Sequence, residues 1–106
     1  MDARQRPVVW AASAQQALDD VITYISQDSE SGALHVLDAA LSAASSLVTL
    51  ASRGRVVLEL NDPAIRELFV FRYRLLYQVD AERVVILAFL HGARDFAAWR
   101  REQDQG

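Results

Sequence analysis

Few residues in this chain are able to do chemistry, and their types narrow the field. There is no cysteine, so a thiolate nucleophile, a thiolate metal site and a disulfide framework are all excluded. The two histidines, His35 and His91, lie far apart and lack metal-ligand spacing, and no cofactor is expected. All 11 basic residues are arginines. They are unevenly placed: residues 1–52 hold two arginines against six acids, and residues 53–106 hold nine against eight. The halves therefore carry −4 and +1, which sum to the −3 of the whole chain. A sequence pI of about 5.2 opposes non-specific binding of nucleic acid. Any anion recognition must come from a few arginines of the second half.

The elements that position these residues can be read from spacing. A length of 106 residues predicts one domain, 1–106, with a single core. Pro7-Val8-Val9-Trp10-Ala11 reads as a short strand. Ser13 with Gln16 makes a capping box for a helix over 14–28, whose apolar face is Leu18, Val21, Ile22 and Ile25. The polar break Asp28-Ser29-Glu30-Ser31-Gly32 leads to a second helix over 32–51. Its stripe is Ala33, Leu37, Ala40, Leu41, Ala44, Leu47 and Val48, and the short connection implies an antiparallel hairpin. After Arg53-Gly54 come four strand-like segments near 55–60, 66–71, 73–79 and 83–91. Asn61-Asp62-Pro63 separates the first two and Asp80-Ala81-Glu82 the last two. A short helix near 95–103 ends the chain. The fold class is α+β: an N-terminal strand, an antiparallel helical hairpin, then a four-stranded antiparallel meander and a short C-terminal helix. No apolar run reaches the ~18 residues of a membrane span, and Met1–Arg6 does not begin a secretory signal. A cytoplasmic protein is expected.

Several segments, in this order, resemble the RelE/ParE superfamily of type II toxin–antitoxin toxins. Val8-Val9-Trp10 followed by Leu18-Asp19-Asp20-Val21-Ile22-Thr23-Tyr24-Ile25 resembles the opening strand and first helix. Gly54-Arg55-Val56-Val57-Leu58-Glu59 and Ile65-Arg66-Glu67-Leu68 look like the strand pair after the hairpin. Tyr73-Arg74-Leu75-Leu76-Tyr77-Gln78-Val79 is similar to the signature strand. Val84-Val85-Ile86-Leu87 running into His91-Gly92-Ala93-Arg94-Asp95 is similar to the ending of ParE-like members. The resemblance implies a toxin neutralised by a cognate antitoxin that wraps its surface. RelE-like and YoeB-like branches cut messenger RNA on the ribosome, whereas ParE-like members inhibit DNA gyrase. The fold alone does not choose between them.

Cleaving RNA through a ribose 2′-hydroxyl needs a base, an acid and positive charge on the phosphate. Arg74 occupies the arginine of the signature strand and Arg94 resembles a second arginine of RelE-like enzymes. The RelE lysine positions fall at Glu67 and Phe69, and the late tyrosine falls near Trp99 or Arg100, so the proton-transfer set is missing. The YoeB-like set of glutamate, arginine and histidine could be Glu59, Arg74 and His91. Strand alternation places Arg74 opposite the row Tyr73, Leu75, Tyr77 and Val79, and groups His91 with Val85, Leu87 and Phe89.

Each residue also has a purely structural reading. His91 could be a hydrogen-bonded strand end. Arg66 with Glu67, Arg72 with Asp80, and Arg94 with Asp95 could be surface pairs. Tyr73 and Tyr77 could be core residues with wet tips, Glu59 a guard against edge pairing, and Trp99 the dock of the last helix. The leading expectation is a ParE-like inhibitor of DNA gyrase without catalytic residues. The alternative is a ribosome-dependent mRNA endonuclease using Glu59, Arg74 and His91, and a third is a degenerate member kept as a binding module. An antitoxin helix is expected across the hairpin or the exposed sheet, its acids answering Arg66, Arg74 and Arg94. The expected assemblies are a homodimer through the surface that helix would cover, or a heterotetramer with the antitoxin. Convergence of Arg55, Arg66, Arg74 and Arg94 in one concavity beside Glu59 and His91 would reverse the ranking.

Overall fold

The computed structural model describes residues 4–105; Met1–Ala3, the first half of the segment read as no secretory signal, and Gly106 lie outside them. The elements run β1 (Val8–Trp10), α1 (Ala12–Ser26), α2 (Glu30–Ser46), β2 (Arg55–Val56), β3 (Ile65–Val70), β4 (Tyr73–Val79), β5 (Val84–His91) and α3 (Gly92–Gln105). This is the expected α+β class, with one addition. The sheet order is β1-β5-β4-β3-β2, and β1 lies parallel to β5. The N-terminal strand therefore closes the free side of the meander and makes a five-stranded mixed sheet. The α1–α2 hairpin carries the chain from β1 at one edge of the sheet to β2 at the other, and the meander then returns it to β5 beside β1.

Helix boundaries differ from the sequence expectations for local reasons. α1 starts two residues early because Ala11 is its cap and donates its N–H to the Ile86 carbonyl at 2.9 Å, so strand pairing sets the start. Ser13 lies inside the helix and caps nothing. In α2 the cap is Ser29, whose Oγ accepts from the Gly32 N–H at 2.9 Å, which draws Glu30 and Ser31 into the first turn. The buried stripe of α2 is Ala33, Val36, Ala40 and Ala44, continued by Leu47, while Leu41 is exposed. The small residues let α2 lie close to its neighbours. The segment expected as a strand over 55–60 is extended only at Arg55–Val56 and then turns.

The sheet carries a core on each face. On the hairpin side Leu18, Val36, Ala40 and Leu47 pack on Leu75, Tyr77, Ile86 and Phe89. On the other side Val57, Leu76, Ala88 and Leu90 meet Phe96 of α3, with Leu60, Ile65 and Trp99 at the margin. Burying each of the valine, leucine, isoleucine and phenylalanine side chains is worth roughly 1.5–3 kcal/mol. A bulge corrects the simple alternation: Leu76 faces Ala88 but Tyr77 faces Ile86, leaving Leu87 without a partner. The extra residue lets Ile86 and Phe89 both point to the hairpin. His91 therefore shares a face with Phe89 but not with Val85.

Tyr77 is fully buried. Its hydroxyl donates to the Ala51 carbonyl at 2.8 Å and accepts from the Gly54 N–H at 2.9 Å. It has no wet tip, and burial pushes its pKa up. The phenol thereby pins the irregular 47–54 connection to the sheet centre. At the two-residue turn between β3 and β4, Phe71 holds φ +55° and is exposed.

Candidate functional site

The face under α3 gathers three of the four charged residues of the strands, Arg55, Glu67 and Arg74. β3 and β4 are antiparallel with Phe69 opposite Arg74 and Glu67 opposite Leu76, so Glu67, Phe69, Arg74 and Leu76 share one face. β2 adds Arg55 directly opposite Glu67. The turn after β2 brings Glu59 over the same patch. Adjacent residues of a strand point to opposite faces, which is why Glu67 pairs with these arginines and not with Arg66 beside it.

Arg74 donates from Nε to Glu67 Oε1 at 2.6 Å, from Nη1 to Glu59 Oε2 at 3.3 Å and from Nη2 to Glu59 Oε1 at 3.2 Å. Arg55 Nε donates to Glu67 Oε2 at 2.9 Å. Both carboxylate oxygens of Glu67 are thus occupied, and its side chain is 1% exposed against 13% for Arg74. Each guanidinium also lies over an aromatic ring, Arg74 at 4.7 Å from the Phe96 centroid and Arg55 at 4.9 Å from that of Phe69. Two arginines and two glutamates leave the network neutral. Burial works against the charge on Arg74, but the hydrogen bonds it donates to Glu67 and Glu59 outweigh it and raise its pKa. The hydrogen bond from Arg74 holds the Glu59 carboxyl below its ordinary value.

That shift predicts a pH dependence. A carboxyl depressed in the folded state contributes stability above its unfolded value, near 4.5, and loses it as pH falls through the folded value. Glu59→Gln is expected to lower the urea midpoint at neutral pH, and this difference should vanish in acid below the carboxylate range. The side chain of Glu59 is 44% exposed, so the effect should not exceed about 1 kcal/mol. A pH-independent difference would show that the ion pair contributes nothing.

The structure divides the residues named by sequence. Glu59 and Arg74 are brought together. His91 is not with them: it stands opposite Tyr73, their rings 5.0 Å apart, on the hairpin side, while the β5 residue opposite Arg74 is buried Leu90. The His91 N–H donates to Asp95 Oδ2 at 3.0 Å. Arg66 is opposite Tyr77, also on the hairpin side, and its Nη1 donates to the Gly54 carbonyl at 2.7 Å. Arg94 is exposed in the first turn of α3. Arg55, Arg66, Arg74 and Arg94 therefore do not meet in one concavity. Glu59 lies in the turn beyond β2, not on an edge strand. Trp99 packs beside Phe96, ring centroids 5.8 Å apart, holding α3 to the sheet.

Sequence reasoning missed Glu67 as the hub of this network. The available signal was one acid between Ile65 and Phe69 on the α3-facing side of a strand, with an arginine on each neighbouring strand. Among the described residues, no group of three or more histidines, cysteines or acids could hold a metal, and no helix is long and apolar enough to cross a membrane.

Comparison with known proteins agrees with this architecture. The family described as ParE toxin of type II toxin-antitoxin system, parDE, matches residues 8–96. Among solved structures, a chain of the chromosomal ParDE TA system from P. aeruginosa is similar with a TM-score of 0.68 at 17% identity, over 85% of this chain and 99% of that one. No curated protein matches this chain.

Proposed function

This chain belongs to the family of ParE toxins of type II toxin–antitoxin systems, and we propose that it acts by protein–protein inhibition of DNA gyrase and not by cutting RNA. The state of Arg74 carries this reading. A phosphate clamp needs a cation free to receive a polyanion, whereas this guanidinium is enclosed by Glu67 and Glu59 and covered by Phe96. A buried carboxylate stands where a RelE-like enzyme would place a lysine. The separation of His91 from Glu59 and Arg74 by the sheet speaks against the three acting as one site, since proton transfer needs groups within about 3 Å of the reacting atoms or one water away.

An antitoxin fits the hairpin surface. Leu34, Leu41 and Tyr24 are exposed there, beside a groove lined by Trp10, Leu18, Leu37 and Leu41 with Gln15 and Asp19. An amphipathic helix would cover this surface, and in its absence a second copy would. Antitoxin acids would reach Arg94 directly and Arg66 from the hairpin side. One reaching Arg74 would have to take the place of Glu59.

Plasmid supercoiling by gyrase tests the proposal. The purified chain is expected to abolish supercoiling in a dose-dependent way, and addition of the cognate antitoxin should restore it. Unchanged supercoiling at a large molar excess of the chain would refute gyrase as the target.

A further inference from the structure

Away from the Arg74 network, the arginines converge elsewhere. A cleft of about 360 Å³ opens at the edge where the chain enters β1, lined by Arg4, Arg6, Thr49, Ser52, Pro63 and Arg66, with Ala51 and Val79. Three chain segments distant in sequence supply these arginines and hydroxyls. Two of the guanidiniums are fixed by neutral carbonyls: Arg6 Nε donates to the Asp80 carbonyl at 2.9 Å, and Arg66 Nη1 to those of Gly54 at 2.7 Å and Ser52 at 3.4 Å. Carbonyls orient a guanidinium without cancelling its charge. Among the described residues no carboxylate lines the cleft, and none of the three arginines is in an ion pair. In a chain of net charge −3, three arginines around one concavity, with the Asp80 carboxylate felt by Arg6 but outside the lining, form a local electropositive site.

We propose that this cleft binds a small di- or triphosphate ligand. A carboxylate would bring two oxygens and one charge to three guanidiniums and two hydroxyls. A diphosphate brings several acceptor oxygens and two to three negative charges, and matches both the donors and the charge. The proposal is independent of the gyrase reading.

Calorimetric titration of the full chain with inorganic pyrophosphate tests it. Saturable binding is expected, weakening as salt is raised. The double substitution Arg4→Gln with Arg6→Gln should reduce affinity roughly ten- to a hundred-fold. Arg94→Gln, on α3 and outside the cleft, should leave affinity unchanged. Competition by ADP in preference to a short DNA duplex would support a free phosphate ligand. Four results would overturn the proposal: no binding of pyrophosphate, equal losses in the cleft and Arg94 variants, stronger competition by the duplex, or site-dependent binding of poly-glutamate without binding of pyrophosphate.

Discussion

Arg74→Ala is expected to lower the unfolding free energy by about 3–5 kcal/mol, the cost of leaving a buried charge without its partner. The substitution removes three hydrogen bonds at once. Glu67, 1% exposed, would keep only Arg55, whose side chain is 61% exposed and lies in a higher effective dielectric. The stacking of the guanidinium on Phe96 is lost as well, and with it part of the docking of α3. Replacing both members of the pair should recover most of the loss: Glu67→Leu with Arg74→Met fills the same space without charge, and the Arg55 and Glu59 left behind can both reach water. Urea unfolding of the three proteins checks this. A loss under about 1 kcal/mol for Arg74→Ala, or a double variant weaker than the single one, would mean that the network is not structural.

Gly54→Ala should be nearly as damaging, at about 2–4 kcal/mol, through overpacking. A Cβ at this position would lie 2.5 Å from the Tyr77 hydroxyl and 2.6 Å from the Glu67 carbonyl oxygen. Neither can retreat. The carbonyl belongs to β3, which is paired on both sides by β2 and β4, and Tyr77 is fixed by its two hydrogen bonds to the 51–54 segment. The glycine is required for space, and its neighbours tie the helical hairpin to the sheet. Thermal denaturation should show a much lower midpoint. An unchanged midpoint would mean that the 51–54 segment adjusts freely.

These two effects meet at residues whose importance the sequence shows unequally. The helical hairpin, the strand series and the α+β class follow from apolar spacing and turn chemistry, and the family resemblance from short segments along 8–95. The parallel pairing of β1 with β5 is not written locally, because it depends on how the hairpin folds back. The bulge at Leu87 is likewise invisible in an unbroken apolar run, and it reverses which side chains share a face with His91. Arg74 was legible as the polar exception in an alternating strand. Its partner Glu67 was hidden by the adjacent Arg66, an apparent surface pair that strand geometry forbids. The early end of β2 moved Glu59 from an expected strand edge into a turn over Arg74, a consequence of the tertiary position of Val57 in the core under α3. Arg4 and Arg6 lie in the acidic half of the chain, where the charge count alone gave no reason to look for an anion site.

The most direct test of the central claim, that the Arg74 network holds the fold and does not catalyse, is the activity of the Glu67→Leu/Arg74→Met protein. Once its folding has been verified, it should be assayed beside the wild type for inhibition of gyrase supercoiling and for cleavage of message on translating ribosomes. The account predicts that both proteins block supercoiling to a similar degree and leave message intact. Message cleavage by the wild type that disappears in the folded double variant would contradict it, and would make Arg74 a catalytic residue.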